Sequence, residues 1–125
     1  MPGAVREITF SVWPDVIQPS TPQFAGVQGE HLATKVLFLL MPQWESEEKQ
    51  FYFEYVDGMQ GSHVSGPYTT TNGEISFLLP REWTMAGGIG ELRIAAVVDD
   101  GTEETAQTAY SPVARLSFQT RERIL

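Results

Sequence analysis

The chain has 125 residues, 42% hydrophobic and 19% charged, which suits one domain with a buried core and does not suit a disordered chain. Its 16 acidic and 8 basic residues give a formal charge of −8; nucleic acid and anionic membrane surfaces are disfavoured partners, because both are bound through Lys and Arg. Cysteine is absent, so disulfides, thiolate metal sites and cysteine nucleophiles are excluded.

The N-terminus, MPGAVREITFSVWPD, lacks the basic start and long apolar centre of a signal peptide. Within it, residues 5–13 alternate, with Ile8, Phe10 and Val12 on one side and Glu7, Thr9 and Ser11 on the other. That period of two predicts a half-buried strand, ended by Pro14. Residues 14–29, rich in proline and small residues, predict an ordered loop or extended crossover anchored by Val16, Ile17 and Phe24. Residues 30–41, EHLATKVLFLLM, are apolar on both faces, as expected of a central strand, and far too short to span a bilayer. One face carries Leu32, Val36, Phe38 and Leu40.

A polar connection follows at 42–50, with Trp44 among Glu45, Glu47 and Glu48. FYFEYV at 51–56 predicts a strand with Phe51, Phe53 and Tyr55 on one face, and Asp57-Gly58 then turns the chain. A weaker strand is expected over 63–70, interrupted at Gly66-Pro67, with Asn72-Gly73 as the next turn. Residues 74–79 place Ile75, Phe77 and Leu79 inward. REWTMAGG predicts a short helical turn near 81–86 that plugs one end of the core with Trp83 and Met85. The next strand points Leu92, Ile94, Ala96 and Val98 inward; Asp100-Gly101 turns it back towards Tyr110, and after Pro112 the run closes with Ala114, Leu116 and Phe118.

Six to eight short strands at roughly ten-residue spacing predict an all-β fold, an immunoglobulin-like antiparallel β-sandwich. One domain is expected over 1–120, with 121–125 a tail or a join to something further.

Catalytic chemistry finds little footing. Ser62, His63 and Ser65 stand together in GSHVSG, but this is not a nucleophile elbow, and neighbours on a strand face opposite ways. GGIGE at 87–91 matches no phosphate-binding loop. The carboxylates of DDGTEE at 99–104 lack EF-hand spacing and are expected to lie in a solvated turn. No catalytic residue, metal site or cofactor is therefore expected. Val16, Ile17, Phe24 and Trp44 are the candidates for contact with a partner, since apolar and aromatic groups in connections serve that purpose.

Three segments, GVQGEHLATKVLFLL (26–40), NGEISFLLPREWTMAGGIGELRIAAVVDDG (72–101) and YSPVARLSF (110–118), together resemble the immunoglobulin-like domains of tail and baseplate proteins from phages and prophages of Gram-positive bacteria. The N-terminal domain of upper baseplate proteins is the nearest type. The resemblance covers roughly residues 5–120 and implies a non-enzymatic module that attaches a receptor-binding or fibre component to a tail. It also implies a virion location after synthesis in the bacterial cytoplasm, partnership with other tail and baseplate proteins, and a homo-oligomer. The competing expectation is a carbohydrate-binding module or adhesin, whose glycan would lie on a platform of Trp44 with Tyr52 or Tyr68.

Overall fold

Alternating hydropathy needs a second layer to cover each apolar face, and the chain supplies it. A computed structural model describes residues 5–41, 49–70, 73–98 and 107–121. In chain order the elements are β1 (Arg6–Val12), β2 (Ile17–Gln18), β3 (Gln23–Val27), β4 (Thr34–Leu40), β5 (Lys49–Val56), β6 (Ser62–Tyr68), β7 (Glu74–Leu78), α1 (Arg81–Thr84), β8 (Gly88–Val98), β9 (Gln107–Tyr110) and β10 (Ala114–Gln119). One sheet has the order β2-β1-β4-β7; the other has the order β3-β10-β8-β5-β6, with β9 also paired to β8.

The two sheets pack as a sandwich. Phe10 and Val12 of β1, Val36 and Phe38 of β4, Ile75 and Phe77 of β7, Phe51, Phe53 and Tyr55 of β5, Leu92 and Ile94 of β8, and Leu116 of β10 are all buried between them. Phe38 bridges the layers edge-on, with ring centroids 5.6 Å from Phe10 and 5.2 Å from Phe53. Such edge-to-face contacts bring the positive ring edge to the negative ring face.

The strands are not all antiparallel. β1 runs parallel to β4, and β3 runs parallel to β10. The reason lies in residues 14–29, expected as a loop or crossover. They carry two short strands: β2 turns back along β1, and β3 pairs on the opposite sheet. The chain then returns as β4 beside β1. A return of this kind is a crossover, which leaves parallel neighbours where a hairpin would leave antiparallel ones.

A polar clasp holds this excursion. Arg6 Nη1 donates to Glu30 Oε1 at 3.1 Å and to Thr34 Oγ1 at 2.8 Å. Thr34 Oγ1 donates to the Ala25 carbonyl at 2.6 Å, and Glu30 Oε1 accepts the Val27 N–H. That N–H holds the Glu30 carboxyl below the usual carboxylate range against the opposing effect of burial, with Arg6 assisting. Gly26, at φ +137°, lets the clasp close: a Cβ there would lie 2.7 Å from both Arg6 Nη1 and Glu30 Oε1.

Pro112 divides the return strand: β10, after it, lies between β3 and β8, whereas β9, before it, pairs with β8 alone. β9 and β10 pair with successive stretches of β8, and residues 111–113 span the gap. Ile94 N–H donates to Ser111 Oγ at 2.9 Å, and Ser111 N–H donates to the Ile94 carbonyl at 2.9 Å. A side-chain oxygen thus stands in where the ladder is broken.

Two local expectations change. The helical turn is confined to Arg81–Thr84; Trp83 and Thr84 are its buried residues, while Met85 is 52% exposed and plugs nothing. Leu32 lies before β4 at φ 56° and is exposed, rather than sharing the core face of that strand.

Candidate functional site

The sequence candidates for partner contact separate. Ile17 is only 2% exposed and belongs to the core, so burial removes it from the contact set. Its neighbour Val16 is 39% exposed at the β1–β2 turn. Phe24, on β3, is 51% exposed, with the Arg6 guanidinium 5.4 Å from its ring centroid. Trp44 lies outside the described residues. Val12 pairs with Leu40, so β4 ends at the same end of the sandwich as the β1–β2 turn.

Cross-strand register assembles a second surface that the sequence candidates did not include. On the outer face of the β3-β10-β8-β5-β6 sheet, paired residues form rows. Phe24, Ser117 and Ile89 make one; Arg115, Glu91, Val56 and Ser62 the next; Arg93, Glu54 and Val64 a third; Tyr110, Ala95 and Tyr52 a fourth. Five of the exposed large apolar side chains among the described residues, Phe24, Val56, Val64, Ile89 and Tyr110, lie on this face. A groove of about 530 Å³ runs over it, lined in part by Val56, Val64, Val113, Glu54, Glu91 and Arg93. The signal was present in the sequence as apolar residues at the outward positions of alternating strands. It was hidden because the partner strands, and hence the rows, are not written in any one segment.

Arg93 organises the centre of this face. Its Nε and Nη2 reach Glu54 Oε1 at 3.0 and 2.9 Å, and its guanidinium lies 4.2 Å from the Tyr110 ring centroid. A paired, stacked guanidinium keeps a flat, rigid patch between the two valines.

His63 and Ser65 of GSHVSG do structural work. His63 Nε2 meets Asp57 Oδ2 at 2.8 Å, and Asp57 Oδ1 accepts the N–H groups of Met59 and Gly61 at 2.9 and 2.8 Å. Burial pushes the Asp57 carboxyl up, but the hydrogen bonds from His63, Gly61 and Met59 outweigh it and hold it below the usual carboxylate range. The His63 ring stacks near Tyr55 at 5.9 Å and Trp83 at 5.7 Å, which ties the β5–β6 turn to α1. Ser65 Oγ and the Tyr68 hydroxyl are hydrogen-bonded at 2.6 Å, and neither reaches His63. Chemically this is an aspartate-anchored turn. Among the described residues, no group of three His, Asp or Glu side chains could hold a metal ion.

Tyr68 packs against the core, 5.7 Å from Phe53 by ring centroids. Its ring is therefore not offered as a platform for a sugar, whereas Tyr52 does face outward. No helix among the described residues is long and apolar enough to cross a membrane.

No family model matches the sequence, and no curated protein matches it. Among solved structures, the chain is similar to the N-terminal domain of phage TP901-1 ORF48. The TM-score is 0.60 at 8% sequence identity, and the match covers 91% of this chain and 98% of that one. At that identity the likeness is one of fold.

Proposed function

We propose that this chain is a non-enzymatic structural module of a phage or prophage tail, attaching a receptor-binding or fibre component to the baseplate. The observation that carries the reading is the extent of the structural match. It takes in 98% of the ORF48 N-terminal domain and 91% of this chain, so it embraces nearly all of the sandwich and not merely a common pair of sheets. The segments at 26–40, 72–101 and 110–118 point from sequence to the same class of tail proteins.

The side chains that catalysis would need are already occupied. His63 and Asp57 bind each other and the turn, and Ser65 binds Tyr68. What remains is surface: an outer sheet face carrying a flat apolar and aromatic patch, with Val16 beside the β1–β2 turn. Such a patch suits a protein partner, since Tyr and Arg are frequent anchors of an interface and the apolar groups around them exclude water.

Size-exclusion chromatography with light scattering tests this, first on the pure protein and then on mixtures with the products of adjacent genes. A stable complex with at least one of them is expected, weakened at least tenfold by Val64→Asp or Tyr110→Ala. Failure to bind any tail protein encoded nearby would contradict the reading.

A further inference from the structure

Edge strands expose unpaired backbone groups, and folds usually shield them. Among the described residues β2, β3, β6, β7 and β9 each have an unpaired side, and they differ in how far it is shielded. β2 has only two residues and β9 only four, cut off just before Pro112. β3 is closed by its own clasp, because Glu30 takes the Val27 N–H and Thr34 donates to the Ala25 carbonyl. β6 carries a register irregularity against β5, and Pro67 removes one donor from it. Among the described residues β7 has none of these devices. It runs Glu-Ile-Ser-Phe-Leu, in unbroken register with β4, and ends its sheet.

The direction of its backbone groups follows from the ladder. Leu40 N–H donates to the Gly73 carbonyl, and Leu79 N–H donates to the Thr34 carbonyl. Hydrogen-bonded pairs alternate in an antiparallel ladder, so Ile75 and Phe77 also turn their N–H and C=O groups to β4. Glu74, Ser76 and Leu78 therefore aim theirs outward, three donors and three acceptors in a straight row.

We propose that β7 pairs with β7 of a second copy of this chain, antiparallel about a two-fold axis at Ser76, to make one continuous sheet of eight strands. The register is self-complementary. Ser76 faces Ser76, Glu74 faces Leu78, no like charges stand opposite each other, and all six outward groups are satisfied. On the inner side Ile75 of one copy meets Phe77 of the other, which carries the two apolar cores up to the seam. A charge of −8 on each copy opposes the contact at low salt and is screened at physiological ionic strength. The inference does not rest on the tail-module reading, and neither stands or falls with the other.

Sedimentation equilibrium on the full chain tests it, from about 10 μM to about 1 mM, in low and in physiological salt. The expected result is a monomer–dimer equilibrium, stronger in the higher salt. Ser76→Pro, which deletes an outward donor, and Ser76→Lys, which sets like charges across the axis and leaves the fold's own ladder intact, each weaken dimerisation at least tenfold. Val64→Lys on β6 leaves it unchanged. Hydrogen exchange gives a second readout: the amides of Glu74, Ser76 and Leu78 slow as concentration rises. A monomer at every concentration, a dimer indifferent to both Ser76 variants, or a dimer lost through Val64→Lys would overturn the proposal.

Discussion

Tyr55 is a core residue with a polar tip. Its ring lies parallel to Trp83 at 5.4 Å, and its hydroxyl is enclosed with no hydrogen-bond partner among the described residues. Burial, with the Asp57 charge adding to it, pushes the phenol pKa up. The hydroxyl occupies the space where a side chain at Gly90 would begin. Tyr55→Phe is therefore expected to raise the unfolding free energy by about 1 kcal/mol, since a buried, unmatched hydroxyl carries a desolvation cost. Gly90→Ala should lower it by about 3 kcal/mol through overpacking, and Tyr55→Leu in the same chain should recover part of that loss. Urea titration of the four proteins checks both signs. At the neighbouring carboxylate, the lowered pKa of Asp57 fixes a pH dependence. A group whose folded pKa is depressed stabilises the fold above its unfolded value, and that stability is lost as pH falls through the folded value. The Asp57→Asn penalty, about 1–3 kcal/mol at neutral pH, is expected to shrink as pH drops below about 4. Denaturation of both proteins at pH 7 and pH 3 reads this out; a penalty that grows on acidification would contradict it.

At the scale of elements, Ser111 shows how a proline is accommodated inside a sheet. Pro112 cannot donate, and the gap it opens beside β8 is closed by the Ser111 hydroxyl on the buried Ile94 N–H. Ser111→Ala removes that acceptor and is expected to cost about 1–3 kcal/mol, whereas Ser111→Thr, which keeps it, should cost less. Thermal unfolding distinguishes the two. The same elements show what was legible in the sequence. Strands with strict alternation, such as β1, β5 and β7, were visible because one buried face imposes a period of two. The buried Phe10, Phe38, Phe77 and Ile94 follow from it. β2 and β3 were not visible: two residues give no period, and β3 owes its place to the Arg6–Glu30–Thr34 clasp, whose members are 24 and 28 residues apart. Parallel pairing was hidden for the same reason, as it depends on where the chain returns. Ile17 looked like an anchor for a partner because apolar groups in a loop suggest exposure; strand pairing with Val12 buries it instead.

Over the whole molecule, the sandwich uses its two outer faces unequally. The β2-β1-β4-β7 sheet shows rows of Glu7 with Lys35 and Leu78, Thr9 with Leu37 and Ser76, and Ser11 with Leu39 and Glu74. The exposed Phe24, Ile89, Val56, Val64 and Tyr110 all lie on the other sheet. The exposed large apolar side chains thus gather on one face, the one proposed to meet a partner, while the β7 edge is the proposed seam with a second copy. That division of labour suits a brick in a larger assembly better than a vessel for chemistry. Mass spectrometry and immunogold electron microscopy of phage particles purified from the strain that carries the gene test this most directly. The protein is expected to co-purify with intact particles, with gold at the distal end of the tail. Its absence from particles that contain every other tail protein would rule out a tail role.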